Sequence, residues 1–288
     1  MTRPQNLTTK IFLAGGDPDE TKEIIHLLGF LDGQTTNPTL ISKNPNAQKR
    51  LAEGNKFTKE EIYDFYHNVV KEISALVPDG SVSVEVYADK NTSADEAFTQ
   101  GKEMFSWIPN AHIKYPTTAT GLEAAKRSVE AGMRVNMTLC FTEEQAAAVY
   151  AATRGAKKGD VFVSPFVGRL DDKGENGMEL IKNIITMYQN GDGHVEVLTA
   201  SVRNMDHFLY AIKLGSDIIT APYNILKDWS KKGMPVPGDD FVHAAQDLKG
   251  IPYKEIELSN DWKTFDIAHE LTDKGIDRFS NDWNALMM

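Results

Sequence analysis

Residues 111–120 read AHIKYPTTAT, a stretch with a single lysine, Lys114, near its centre. The pattern predicts a short buried strand that ends near this lysine, followed by a proline- and threonine-rich turn and a helix. A lysine enclosed among apolar side chains loses its proton more easily than one in water, and a free amine can attack a carbonyl carbon. Lys114 is therefore a candidate Schiff-base nucleophile. The alternative is a strand-end lysine whose ammonium group reaches solvent.

On both sides of this stretch, short apolar segments alternate with longer segments of helical periodicity. Besides the Lys114 segment, the predicted strands are KIFLAG (10–15), LDGQTTN (31–37), SVSVEVY (81–87), RVNMTL (134–139), DVFVSPF (160–166), HVEVLTA (194–200) and SDIITA (216–221). Eight strand–helix units at these spacings predict an α/β protein, a closed (β/α)8 TIM barrel. An open doubly wound sheet is the alternative, but GGDPDE (15–20) lacks the GxGxxG spacing that such a sheet places after its first strand.

The alternation ends after residue 232. GMPVPG (233–238) predicts a loop, residues 241–248 a short helix, and residues 261–283 show helical periodicity. We expect residues 1–288 to form one domain in which residues 233–288, a loop and helical extension, pack on the barrel near its mouth. Residues 42–54 are polar and predict another loop.

Composition and charge exclude several classes of protein. The net charge of −10 and the isoelectric point near 5.2 argue against nucleic acid as a partner, because nucleic-acid binders present a basic face. No segment approaches the roughly 18 apolar residues of a membrane span, and the first ten residues lack the apolar core of a signal peptide. The single cysteine, Cys140, leaves no internal disulfide framework and favours a cytoplasmic protein. The sequence leaves the oligomeric state, including a homo-oligomer, open.

Polar side chains stand at or just after the ends of the predicted strands, where barrel enzymes carry their chemistry. In chain order they are Thr35, Thr36, Asn37, Glu85, Lys114, Asn136, Thr138, Ser164, Arg169, Ser201 and Arg203. Each alone has an ordinary structural explanation, such as a turn for Asn37 or a buried ion pair for Glu85. Together they combine an amine, a carboxylate, amides and hydroxyls with two arginines, which suit a phosphate group. The set predicts a Schiff-base site for a phosphorylated sugar.

The segments that carry these residues resemble the transaldolase family, which includes the fructose 6-phosphate aldolases. They are LDGQTTNPTLI (31–41), VSVEV (82–86), HIKYPTTATGLEA (112–124), VNMTLCF (135–141), VSPFVGRLDD (163–172), EVLTASVRN (196–204) and HELTDKGIDRF (269–279). The resemblance covers nearly the whole chain in the expected order. It implies a (β/α)8 barrel, sugar phosphates as substrates, and no metal or organic cofactor.

The resemblance also implies roles for individual residues. Lys114 would form the Schiff base, and Glu85 and Thr138 would hold the water that shuttles protons. The substrate-binding residues would be Asn37, Asn136, Ser164 and Phe166 in the site, with Ser201, Arg169 and Arg203 on the phosphate. Family members that act as transferases tend to have phenylalanine at the position of Phe166, and free aldolases tend to have tyrosine. Phe166 therefore favours transfer of a dihydroxyacetone unit, unless it simply packs at the barrel rim.

One position departs from the family pattern. The first strand of the family typically ends in an aspartate that acts as acid and base in carbon–carbon cleavage, whereas here Ala14 ends the strand and cannot move a proton. Three explanations are open. Asp17 reaches the site rather than capping the next helix, another group or a water takes over, or the protein has lost ordinary turnover.

Three functions follow from these observations. The first is a transaldolase of the pentose phosphate pathway that acts on fructose 6-phosphate and sedoheptulose 7-phosphate. The second is an aldolase of the fructose 6-phosphate type, or a related aldol enzyme, that releases dihydroxyacetone. The third is a phosphosugar-binding protein whose turnover is impaired by the alanine at position 14.

Overall fold

The fold is a closed barrel of eight parallel strands, seen in a computed structural model that describes residues 2–245 and 247–288. The strands follow one another around the barrel in chain order, and the last pairs with the first. They are β1 (Lys10–Ala14), β2 (Gly33–Thr35), β3 (Ser81–Glu85), β4 (Ala111–Pro116), β5 (Val135–Cys140), β6 (Val161–Pro165), β7 (Val195–Thr199) and β8 (Ile218–Pro222). The predicted (β/α)8 barrel is confirmed.

Helices connect the strands and cover the outside of the barrel. They are α1 (Pro18–Leu28), α2 (Pro38–Ser42), α3 (Pro45–Ala52), α4 (Lys59–Leu76), α5 (Ala94–Phe105), α6 (Ala119–Glu130), α7 (Glu143–Ala152), α8 (Val167–Asp171), α9 (Gly177–Tyr188), α10 (Met205–Leu214), α11 (Tyr223–Lys231) and α12 (Glu270–Asn284), with a short 3₁₀ helix at Trp262–Thr264. Local chemistry sets many of their starts. Thr58 and Ser93, for example, each form a capping box with the glutamate three residues on.

Residues 42–54 were predicted as a loop, and this prediction is wrong. α2 ends at Ser42, and α3 follows after two residues. Asn44 caps α3 by accepting a hydrogen bond from Asn46 N, and Pro45 occupies its first turn, where a proline costs no hydrogen bond. The helix buries only Ala47, so it lacks the apolar stripe on which the sequence reading relied. A short helix was also expected at residues 241–248. No helix forms over residues 241–245, and residue 246 lies outside the described residues.

The register of neighbouring strands places polar side chains at one level inside the barrel. Glu85 pairs with Lys114, and Lys114 pairs with Asn136, so the three lie side by side on β3, β4 and β5. Below them the barrel is filled by rings. The rings of Phe12 and Phe162 meet edge to face at 6.1 Å, and His112 stacks on Phe162 at 4.1 Å. The polar level therefore opens only toward the C-terminal ends of the strands.

The last helix, α12, lies across this C-terminal end. Thr272 Oγ1 accepts a hydrogen bond from the buried Gln145 at 2.9 Å and donates one to Leu139 O, at the end of β5, at 2.9 Å. Near the other end of α12, Asp282 accepts a hydrogen bond from Thr39 in α2. These contacts place α12 on the C-terminal end of the barrel. No helix in the described part of the chain combines the length and the apolar character of a membrane span.

Candidate active site

Lys114 lies inside the barrel near the end of β4, with 3% of its surface exposed. Its Nζ is 2.7 Å from Oε2 of Glu85, and each of these two side chains is only 4% exposed. The same Nζ donates a hydrogen bond to the backbone oxygen of Thr36 at 3.1 Å. The lysine therefore does not reach solvent, and its nearest charged neighbour is a carboxylate.

This ion pair is enclosed by protein. Burial raises the pKa of Glu85, although the charges of Lys114 and Arg169 oppose that effect. A buried amine next to a carboxyl group is the arrangement that Schiff-base chemistry would use.

Tyr66 of α4 supports Glu85 from outside the barrel. Its hydroxyl accepts a hydrogen bond from Glu85 N at 2.9 Å and shares another with Thr36 Oγ1 at 2.6 Å. Thr36 Oγ1 in turn donates to Ser83 O at 2.7 Å. The sequence analysis did not identify Tyr66 as part of the site. The one available signal was a hydroxyl on an otherwise apolar stripe.

A second chain of hydrogen bonds fixes Asn136. Ser164 Oγ donates to Asn136 Oδ1 at 2.7 Å, and Asn136 Nδ2 donates to Ser83 Oγ at 3.0 Å. All three side chains are at most 2% exposed, so the amide is held rigidly beside Lys114. The structure thus brings two of the sequence-derived candidates, Asn136 and Ser164, to the lysine.

Thr138 stands two residues beyond Asn136, on the same face of β5. It is fully buried, and its Oγ1 has no hydrogen-bond partner among the residues described. A buried hydroxyl left without a partner costs free energy, typically about 1–3 kcal/mol. The Thr138 hydroxyl would regain this free energy by forming a hydrogen bond to a water or to substrate.

Asn37 and Ser201 stand at the ends of β2 and β7. Asn37 Oδ1 caps α2 by accepting a hydrogen bond from Leu40 N at 2.8 Å, so the residue begins a helix rather than forming the turn offered as its ordinary explanation. Ser201 adopts a φ of 59°, an uncommon conformation for a residue other than glycine. Backbone strain of this kind often accompanies functional loops.

Arg169 lies on α8 between two aromatic rings. Its guanidinium carbon is 5.3 Å from the ring centre of Phe166 and 5.4 Å from that of Phe279 in α12. Burial, and after it the positive charges of Arg278 and Arg203, lower the pKa of Arg169 to about 10. No hydrogen bond or ion pair joins its guanidinium to another residue in the described chain. The group keeps its donors free for an anion.

Arg203 faces the same region but is half exposed, and it pairs with Asp172 at 3.0 Å. Gly168 allows Arg203 and Ser201 to lie against α8, because a Cβ at residue 168 would be 2.4 Å from both Arg203 Cγ and Ser201 O. The positive charges of Arg203 and of Arg278 in α12 both act on Arg169. The sequence reading missed Gly168 and Arg278, although both lie in segments that carry the resemblance.

The end of β1 holds no acid. Ala14 pairs with Thr35 on one side and Pro222 on the other, and Thr35 Oγ1 bonds Thr220 Oγ1 at 2.7 Å. Asp17 accepts a hydrogen bond from Asp19 N at 3.0 Å and caps α1, as the alternative interpretation held. In the described residues, no group of three or more His, Cys, Asp or Glu side chains is placed to hold a metal ion.

Comparisons with known proteins show which family the sequence matches. The family model described as "Transaldolase/Fructose-6-phosphate aldolase" matches residues 11–288. A "Probable transaldolase" from Dehalococcoides mccartyi is 35% identical over 277 residues, which is 96% of this chain and 99% of that protein. Proteins with the same name from Chlorobaculum parvum and Thermoplasma volcanium are 37% and 39% identical, over 95% and 76% of this chain and 97% and 86% of their own lengths.

Proposed function

The chain belongs to the transaldolase/fructose-6-phosphate aldolase family, a family of enzymes, and from this premise we propose that it transfers a dihydroxyacetone unit between sugar phosphates through a Schiff base on Lys114. The substrates would be fructose 6-phosphate and sedoheptulose 7-phosphate, in a cytoplasmic pentose phosphate pathway. The observation that carries the proposal is the buried contact of 2.7 Å between Lys114 Nζ and Glu85 Oε2.

The first step is imine formation. Glu85 takes a proton from the Lys114 ammonium, and the free amine adds to C2 of the ketose phosphate to give a carbinolamine. The protonated Glu85 then returns its proton to the departing hydroxyl, so water leaves and an iminium ion remains. We expect the Thr138 hydroxyl, which has no partner among the described residues, to hold that water beside Glu85.

The second step breaks the bond between C3 and C4. Its electron pair moves into the iminium group and forms an enamine on Lys114. The C4 hydroxyl gives its proton to a water or another group that takes the place of the acid missing at the end of β1, and the aldose phosphate leaves. The enamine then adds to the aldehyde carbon of an acceptor aldose phosphate, and water releases the new ketose. Asn136 and Ser164 support the proposal here, since both are fixed beside the lysine and offer hydrogen bonds to substrate hydroxyls.

The phosphate would bind at the arginine pair. Arg169 has free donors, and a dianion between it and Arg203 would relieve the repulsion between two like charges. Ser201 would contribute its hydroxyl from the same loop.

A coupled assay with fructose 6-phosphate and erythrose 4-phosphate tests the proposal, with the Lys114→Ala variant as the control. Formation of glyceraldehyde 3-phosphate only with the wild-type protein is the expected result, and equal rates in both proteins would refute it. Borohydride reduction during turnover should add the mass of the reduced donor fragment to the peptide that contains Lys114.

The second candidate function is release of free dihydroxyacetone, as in a fructose 6-phosphate aldolase. Phe166 counts against it, because its ring packs against Arg169 and against Phe141, at 6.0 Å, and offers no hydroxyl to activate water. Product analysis without an acceptor aldehyde separates the two functions. Accumulation of dihydroxyacetone at the rate of the coupled reaction would favour the aldolase.

A further inference from the structure

His207 lies between α8, which carries Arg169, and the segment between β7 and α10, which carries Arg203; these two segments are called the arginine loops below. It is the third residue of α10, where Asn204 Oδ1 accepts a hydrogen bond from His207 N at 2.8 Å, and only 3% of its surface is exposed. The capped helix start fixes the backbone of His207, and burial restricts its ring. The position matters because Arg203 immediately precedes the capping residue.

The two ring nitrogens of His207 have different partners. Nε2 lies 2.7 Å from Asp171 Oδ2, at the end of α8. Nδ1 accepts a hydrogen bond from Arg203 N at 3.4 Å. A backbone N–H can only donate, so Nδ1 carries the lone pair and the neutral ring donates from Nε2 to Asp171. The ring therefore joins Arg203 to a residue two positions beyond Arg169.

Asp171 is held firmly as the acceptor. Burial works against its ionised form, yet hydrogen bonds from His207 and from Gly177 N lower the pKa of Asp171 below its usual value. Asp171 Oδ1 accepts the Gly177 bond at 3.0 Å. The carboxylate thus fixes the end of α8 from two sides. Other contacts also join the two segments: Gly168 N donates to Ser201 O at 3.1 Å, and Arg203 pairs with Asp172 at 3.0 Å.

We propose that His207 is a positioning residue that sets the distance between the guanidinium groups of Arg169 and Arg203, so that both can contact one phosphate dianion. The inference rests on the proposed function for the identity of the anion as a sugar phosphate. The arginines repel each other in the protein alone, so the loops that carry them need ties that hold them together. The His207 ring is such a tie, since its Nε2 bonds Asp171 at the end of α8 while its own backbone follows Arg203 in the chain.

Two substitutions separate the bonds of His207. In His207→Gln the side-chain amide reaches about as far as Nε2 and can still donate to Asp171. In His207→Asn the shorter amide can still accept from Arg203 N but cannot reach Asp171. We expect the affinity for inorganic phosphate, measured by calorimetry on the full-length protein, to fall on the order of tenfold in the Asn variant and less than threefold in the Gln variant.

Steady-state kinetics should also show that the Asn variant loses phosphate binding rather than the chemical step. In the Asn variant, KM for fructose 6-phosphate should rise by about tenfold while kcat changes by less than about twofold. Borohydride trapping of unphosphorylated dihydroxyacetone on Lys114 should stay at the wild-type level, because this ligand makes no contact with the arginines.

His194→Ala is the matched control. His194 is equally buried, at 3% exposure, and is bonded to Asp192 and Thr153 at the start of β7, the opposite end of the barrel. It should lose stability without losing phosphate affinity. Equal phosphate affinity in wild-type and His207→Asn proteins would overturn the inference, as would equal losses in the Asn, Gln and His194→Ala variants. Absence of trapping in the wild type would instead refute the Schiff-base proposal and leave the phosphate measurement valid.

Discussion

The hydroxyl of Tyr66 lies 2.9 Å from the backbone nitrogen of Glu85 and accepts its hydrogen bond. A residue of α4, outside the barrel, thereby fixes the end of β3, where the carboxylate that pairs with Lys114 is attached. The same hydroxyl bonds Oγ1 of Thr36, and the backbone oxygen of Thr36 accepts a hydrogen bond from Lys114 Nζ. One buried phenol thus holds both contacts of the amine in place.

We therefore expect Tyr66→Phe to weaken both stability and imine formation. The change leaves Glu85 N without its acceptor and removes a partner from Thr36, which should cost about 1–3 kcal/mol in the free energy of unfolding. Urea unfolding measures the stability, and the rate of borohydride trapping measures the imine. Tyr63→Phe is the control, because Tyr63 lies on the same helix and its hydroxyl bonds Gln100 instead. Equal trapping rates in the wild-type and Tyr66→Phe proteins would contradict this expectation.

The buried His112 predicts a dependence of stability on pH. Burial lowers the pKa of His112 to about 3 from an ordinary value of 6.5. Between these values the unfolded chain binds a proton that the folded protein does not, so the free energy of unfolding should fall as pH falls from 6.5 toward 3. The expected slope is up to about 1.4 kcal/mol per pH unit for this group.

Urea unfolding at several pH values between neutrality and pH ~4.5 measures this slope. His112→Gln should remove the contribution of His112, whereas His26→Gln, at an exposed position on α1, should leave it unchanged. A His112→Gln protein that still lost stability as steeply as the wild type would rule out His112 as the cause.

Gly168→Ala should weaken phosphate binding. The added Cβ would lie 2.4 Å from Arg203 Cγ and Ser201 O, so α8 and the segment that carries Arg203 would have to move apart. We expect KM for sugar phosphates to increase by roughly tenfold with little change in kcat. Gly238→Ala is the control, since its added Cβ would meet only the carboxylate end of the Asp240 side chain at the surface. An unchanged KM would show that the loops tolerate the separation.

Ala14→Asp tests how the protein manages without the acid at the end of β1. An aspartate there would stand beside Thr35 and could take the C4 proton during cleavage. If that group is the missing acid and base, kcat for transfer should rise by about 10²–10⁴. The coupled assay measures kcat, and Ala14→Asn controls for size and polarity. No gain over the Asn variant would mean that another group or a water already moves the proton.

Local patterns in the sequence determined the barrel. The strands are buried along most of their length, and helices such as α1 and α4 carry an apolar stripe, so both patterns are visible in short windows. Polar residues at the strand ends gave the candidate residues, and the family resemblance added their roles and Phe166. The register of β3, β4 and β5 places Glu85, Lys114 and Asn136 together. Their catalytic roles stay predictions.

Only the tertiary structure decided what surrounds these residues. The partners of Tyr66 lie 19 and 30 positions away in the chain, and Asp171, the partner of His207 Nε2, lies at the end of a different helix, α8. No local pattern indicates such pairs, because they form only when the strands close into a barrel and bring separate loops to one end. The same limit explains the missed helix α3, which packs too little apolar surface to show a stripe. Hydrophobic periodicity reports which face of an element is buried, whereas the hydrogen bonds of a site depend on distances between elements.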